Sequence, residues 1–239
     1  MKYKMILFDL DGTLLSMNQE EFLKKYFKLL AIHMENNGFD GAKIIDSIQQ
    51  GTIAMLKNNG LETNEDIFWK TLSAIYNYNI KEKEYIFEKF YIDGFPNLID
   101  TCGCKPIANK LIKYLKQQGY KIVLATNPLF PSIATETRIK WAGLDINDFE
   151  LVTTYENSKA CKPNLIYYKN ILNELNVDAN DCLMVGNDVD EDMITSQLGM
   201  DVYLILDELI NKHNLDISPY KQGTLENLLE FIKKSEISK

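Results

Sequence analysis

The sequence predicts an α/β protein: a Rossmann-like parallel sheet with helices on both faces, carrying an inserted all-helical cap domain. Short apolar runs of strand type alternate with helical patterns from residue 104 onward, which favours a parallel sheet joined by right-handed crossovers. Residues 17–95 break that alternation and hold helical patterns only. The first run is almost uninterruptedly apolar, as in a strand covered on both faces, where loops at the carboxyl end form binding crevices. The expected division is a core of residues 1–16 and 96–239 with a cap of residues 17–95, which a chain of 239 residues can accommodate.

The first strand is Met5–Phe8, and it runs straight into Asp9-Leu10-Asp11-Gly12-Thr13. In the insert, Phe22, Tyr26, Leu29, Leu30 and His33 share one helical face, and further helical patterns cover Ile44–Leu56, Ile67–Ile75 and Tyr85–Tyr91. A loop of that length without a core of its own is implausible, so the insert is expected to be a small bundle closing over the active edge of the sheet. His33 is expected to pack rather than ligate, and Tyr76, Tyr78, Tyr85 and Tyr91 to serve the bundle.

Beyond the insert, Ile107, Leu111, Ile112 and Leu115 keep a helical period that Gly119 closes. The second strand follows at Ile122–Ala125 and the third at Leu151–Thr153. Pro163 then opens a helix carrying Ile166, Ile171, Leu172 and Leu175. Strands at Leu183–Val185 and Val202–Ile205 complete the sheet, and the tail after Ile232 reads as a fraying helix end.

Composition restricts the partners. A formal charge of −8 without clustered basic residues argues against a nucleic-acid surface. The single arginine, Arg138, means that an anion must be held by lysine, backbone N–H groups, hydroxyls or metal. Cys102, Cys104, Cys161 and Cys182 form neither a zinc-binding pattern nor a convincing disulfide framework, so free thiols are expected. No run resembles a signal peptide or reaches the ~20 apolar residues of a membrane span, and a cytoplasmic protein without membrane partners is expected.

Chemistry gathers at strand ends. Asp9 and Asp11, two apart on an extended segment, point to one side, and Gly12 lets backbone approach a ligand closely. Such a pair can hold a divalent cation or divide nucleophilic and acid work between two carboxylates. The second strand ends in Thr126-Asn127-Pro128. If it neighbours the first, the Thr126 hydroxyl and the Asn127 N–H face the same site and can donate to phosphate. Lys162-Pro163 places an ammonium before a helix, suited to neutralising a carboxylate and a phosphate together. Gly186-Asn187-Asp188-Val189-Asp190-Glu191-Asp192 crowds four acids into five residues, and Mg²⁺ is the economical partner for such a cluster.

In order and spacing these four segments resemble the motifs of the haloacid dehalogenase superfamily over residues 5–200, with the helical insert where that family's first type of cap belongs. The resemblance implies a phosphatase in which Asp9 is the nucleophile, forming an aspartyl-phosphate, and Asp11 is the general acid and base. It implies that Thr126 and Lys162 hold the phosphoryl group, and the strand-end reading adds Asn127 and Gly12 as phosphate contacts. It also implies Mg²⁺ held by Asp9, the carbonyl of Asp11 and an acid of the last motif. That motif departs from the family's Gly-Asp: Asp188 as direct ligand with Asp192 behind it is the preferred register, and Asn187 with Glu191 the alternative. Asp11 argues against a dehalogenase, since that branch lacks the second acid. The expected substrate is a small phosphorylated metabolite, with a sugar phosphomutase or a non-catalytic phosphate-ligand-binding protein as alternatives. Neither the substrate nor the oligomeric state is legible.

Overall fold

The computed structural model describes residues 2–237. In chain order the core opens with β1 (Met5–Phe8) and β2 (Leu15–Met17). Four helices follow: α1 (Gln19–Asn36), α2 (Gly41–Leu56), α3 (Asn64–Tyr76) and α4 (Glu84–Asp93). The chain returns through β3 (Cys102–Cys104), α5 (Pro106–Gln117), β4 (Lys121–Leu124), α6 (Ser132–Trp141) and β5 (Leu151–Val152). It ends with α7 (Leu165–Glu174), β6 (Cys182–Gly186), β7 (Asp201–Ile205), β8 (Lys221–Gly223) and α8 (Leu225–Ile237).

Six strands form one parallel sheet in the order β5-β4-β1-β6-β7-β8. β1 lies at its centre between β4 and β6, with Phe8 in register with Leu124 on one side and Val185 on the other. The period of two assigns its side chains to opposite faces. Ile6 and Phe8 enter the larger core, while Met5 and Leu7 enter a second core beneath α7. All four are essentially without solvent contact, and each contributes about 1.5–3 kcal/mol by leaving water. Sheet order reverses around β1, so the carboxyl ends of β1, β4 and β6 open onto a common crevice, where α/β sheets bind ligands.

Three strands have no counterpart in the sequence reading. β8 is the tripeptide Lys-Gln-Gly, without apolar character, and lies at the edge of the sheet. β2 and β3 pair antiparallel with each other, Leu15 opposite Cys104, although the helical insert separates them. Helix starts also lie earlier than the apolar periodicity indicates. Asp40 and Thr63 accept the N–H groups of Lys43 and Asp66 and so cap α2 and α3 ahead of the first buried apolar residue. α8 runs on to Ile237, five residues past Ile232; residues 238–239 of the expected fraying tail lie outside the described residues.

The inserted helices rest on the core through aromatic rings. Phe130, in the loop after β4, meets Phe22 and Tyr26 of α1 with ring centres 6.2 and 5.4 Å apart. His33 packs, as its apolar face indicates, with Nε2 2.8 Å from the carbonyl of Ile86 and its ring against Phe90. All four cysteines are free thiols. Among the described residues no helix is long and apolar enough to cross a membrane.

Candidate active site

Asp9 is the first residue beyond β1, and its N–H still donates to Val185 of the neighbouring strand at 2.9 Å. The chain then turns tightly: Thr13 and Leu15 both donate to the carbonyl of Leu10, and Gly12 takes φ +86°. This turn needs glycine for two reasons. The left-handed backbone disfavours a side chain, and a Cβ there would come within 2.2 Å of Asn187 Nδ2. The last strand-end motif therefore approaches the first directly over Gly12.

Asn187 and Asp9 meet at one hydroxyl. Thr13 Oγ1 lies 3.2 Å from Asp9 Oδ2 and 3.0 Å from Asn187 Oδ1, and it has one proton for two acceptors. The amide nitrogen of Asn187 donates to the carbonyl of Glu208 at 2.7 Å, which holds the amide oxygen toward the site. Asp188 is placed differently. Its Oδ1 accepts the N–H groups of Asp190 and Glu191, both at 2.9 Å, and its Oδ2 lies 3.9 Å from Lys212. The preferred sequence register gave Asp188 the direct metal contact. In the structure Asp188 caps its own turn, and Asn187 is the side chain that reaches the Asp9 loop.

Lys162 is wholly buried between two carboxylates, 2.9 Å from Asp9 Oδ1 and 2.7 Å from Asp192 Oδ1. Burial alone would pull its ammonium down, but Asp192 and Asp9 outweigh that and hold it well above the ordinary lysine range. Burial pushes the Asp192 carboxyl up, with Lys162 opposing. Asp192 can turn back onto the strand end because residue 186 is glycine: a Cβ there would lie 2.0 Å from Asp192 Oδ2. That oxygen also accepts the N–H of Asp188 at 3.1 Å.

Asp11 pairs with Arg138 of α6, whose Nη1 donates to Asp11 Oδ2. The other oxygen, Oδ1, is buried without a partner. Burial raises the Asp11 carboxyl above its usual range, with Asp9 adding and Arg138 and Lys162 opposing. Thr126 and Asn127 follow β4, the neighbour of β1 on which their approach to the site depended. The Thr126 carbonyl is fixed by the hydroxyls of Thr153 and Tyr167 at 2.8 and 2.9 Å. Asn127 donates to Glu191 Oε2 at 3.1 Å, and its own Oδ1 is buried without a partner.

Three participants carried no signal in sequence. Arg138 entered only as an isolated arginine, and its partner lies 127 positions away. Lys105 donates to the carbonyls of Gly12 and Thr13 at 3.0 and 3.2 Å and pairs with Glu208 at 3.1 Å, bracing the turn from behind. Asn64, at the first position of α3, donates to the carbonyls of Pro128 and Ala160 at 3.2 and 3.3 Å. One side chain of the inserted helices thereby ties the loop after β4 to the loop that carries Lys162.

The donor set suits a small hard cation. Asp9, the Asn187 amide oxygen and the neighbouring backbone offer oxygen only, and the acceptors around Thr13 outnumber its proton. Among the described residues no group of three His, Cys, Asp or Glu side chains is arranged to hold a metal. An ion here would therefore depend on the amide, backbone carbonyl, water and substrate oxygens as well as Asp9, as Mg²⁺ sites at phosphates commonly do.

Comparison with known proteins agrees with this architecture. The family model of haloacid dehalogenase-like hydrolases matches residues 3–196. A phosphatase of that family from Thermococcus onnurineus is 18% identical at TM-score 0.58, covering 96% of this chain and 97% of its own. A predicted phosphoglycolate phosphatase from Haemophilus somnus is 16% identical at TM-score 0.59, covering 97% and 99%. A hydrolase of the family from Bacillus subtilis, bound to magnesium, is 20% identical at TM-score 0.55, covering 98% and 100%. Dehalogenases occur among the similar structures too. No curated protein matches the sequence.

Proposed function

The chain belongs to the haloacid dehalogenase-like hydrolases, and from that premise we propose that it is a Mg²⁺-dependent phosphatase acting on a small phosphate monoester. The observation that carries this reading is Asp11. Arg138 anchors one of its oxygens, and the other is buried with no hydrogen-bond partner, so it is not committed to another protein group. Displacing a halide needs no proton donor, whereas expelling an alkoxide from phosphorus does.

Asp9 attacks phosphorus while the bond to the leaving oxygen breaks and Asp11 delivers its proton to that oxygen. The ionised Asp11 then takes a proton from water, which attacks the same phosphorus. The Asp9–phosphorus bond breaks, and inorganic phosphate leaves. Lys162 offsets the repulsion between the Asp9 carboxylate and the incoming dianion, and Asp192 keeps the lysine charged and aimed. Thr126 and the Asn127 N–H would cradle the phosphoryl oxygens, whereas the Gly12 N–H is already donated to the Leu15 carbonyl at 2.7 Å. Mg²⁺, held by Asp9, the Asp11 carbonyl and Asn187, would supply further charge neutralisation and orient the phosphate.

The test is phosphate release from a panel of phosphate monoesters with and without Mg²⁺. The wild type should release phosphate only with the metal, and Asp9→Asn and Asp11→Asn should each lower kcat by at least about a thousandfold while circular dichroism stays unchanged. Metal-independent turnover, or near-normal turnover by Asp9→Asn, would overturn the reading.

A further inference from the structure

A cavity of about 530 Å³ lies between the inserted helices and the loop that follows Thr126 and Asn127. It is of the size that encloses a small organic ligand. Its walls are aromatic: Tyr26, Phe68, Trp69, Phe87, Tyr91 and Phe130. Phe130 joins it to the reacting centre, because the guanidinium of Arg138, which holds Asp11, sits 4.8 Å from the centre of that ring.

The charge in this cavity has one sign. Glu65, Glu84, Glu88 and Glu156 line it, and among the described residues no lysine, arginine or histidine does. Glu65 is neutralised from outside by Lys81 at 2.6 Å. Glu156 accepts the N–H of Ser132 through Oε1, and its Oε2 is buried without a partner. Burial raises the Glu84 carboxyl, and the charges of Glu65, Glu88 and Glu156 raise it further against Lys81.

An aromatic enclosure accepts any apolar body, but carboxylates without counterions in its wall favour a cation. Ring faces add to that preference by attracting ammonium groups. Resting on the phosphatase reading above, we infer that the leaving group of the substrate is an apolar or aromatic alcohol bearing an ammonium substituent. Its phosphate end would sit at Asp9 and its cationic end among Glu84, Glu88 and Glu156. The acidic wall would equally turn away a second anionic group, such as a carboxylate or another phosphate, on the same substrate.

The test is a pair of isosteres that differ in charge alone, 3-(trimethylammonio)phenol and 3-tert-butylphenol, titrated into the protein by calorimetry. The cation should bind at least about tenfold tighter, and in the Glu84→Gln/Glu156→Gln double variant the ratio should fall toward one. Equal or tighter binding of the neutral phenol by the wild type, or a ratio that survives the double substitution, overturns the inference. The wild-type comparison stands by itself if the double variant does not fold. The phosphate esters of the same two phenols separate this idea from the one beneath it. A cation preference in binding with no turnover of either ester or of p-nitrophenyl phosphate would sink the phosphatase reading and uphold the cationic site. Turnover of both esters at equal kcat/KM, with no preference in binding, would do the reverse.

Discussion

Arg138 is 2% exposed and meets the carboxylate of Asp11, so each charge of the pair depends on the other for its solvation. Removing one partner of such a pair strands the second. Arg138→Met should cost about 3 kcal/mol of stability in urea unfolding, and Arg138→Met/Asp11→Asn should recover part of it, since the stranded charge is gone. A double variant less stable than Arg138→Met would refute the coupling. A second comparison at this scale concerns the neighbouring residues of the last motif. Asn187→Ala removes the oxygen that faces Thr13 and Asp9, and it should raise the Mg²⁺ concentration for half-maximal activity by at least about tenfold. Asp188→Ala removes acceptors for two turn N–H groups and should cost about 1 kcal/mol with little change in that midpoint. The opposite outcome would assign the metal contact to Asp188 instead of Asn187.

α3 owes its place to its first residue. Asn64 is buried, receives the Asn58 amide at 2.8 Å and spans two loops of the core, while its own N–H donates to Ser158 at 2.8 Å. Asn64→Ala keeps the Thr63 cap but leaves buried carbonyls at Pro128 and Ala160 without that donor, a loss of about 1–3 kcal/mol. Urea unfolding should show the loss, and limited proteolysis should cut the 127–131 and 158–162 loops faster than in the wild type. Unchanged loop cleavage would mean that the helices do not brace those loops. The same element separates what the sequence discloses from what it conceals. Strand ends bearing Asp9, Thr126 and Asp192 are legible because an apolar run stopping at polar residues is a local signal. The roles of Asn64 and Arg138 rest on partners 64 to 127 positions away, and no local pattern encodes them. β2 and β3 stay hidden for a related reason: three-residue strands have no periodicity to read. The turn that aims Asn187 rather than Asp188 at the site depends on the Glu208 carbonyl, which arrives from a separate segment.

Across the whole molecule, the glutamates of the large cavity set stability against binding. Glu84 holds its proton more tightly in the fold than in the unfolded chain, because burial and the carboxylates of Glu65, Glu88 and Glu156 outweigh Lys81. A raised carboxyl of this kind does no harm below its unfolded value, near 4.5, and weakens the fold as pH rises through the folded value. Glu84→Gln should therefore raise Tm at pH 8, on the order of 1–2 °C for a half-exposed position, and the gain should vanish near pH 4. Thermal melts of both proteins at the two pH values measure this directly. A variant less stable at pH 8 would show that Lys81 dominates and that the site carries no excess negative charge. The same substitution should weaken binding of the ammonium phenol. A side chain kept for packing or pairing would lose stability when replaced, whereas one kept for a cationic ligand should gain stability and lose affinity together.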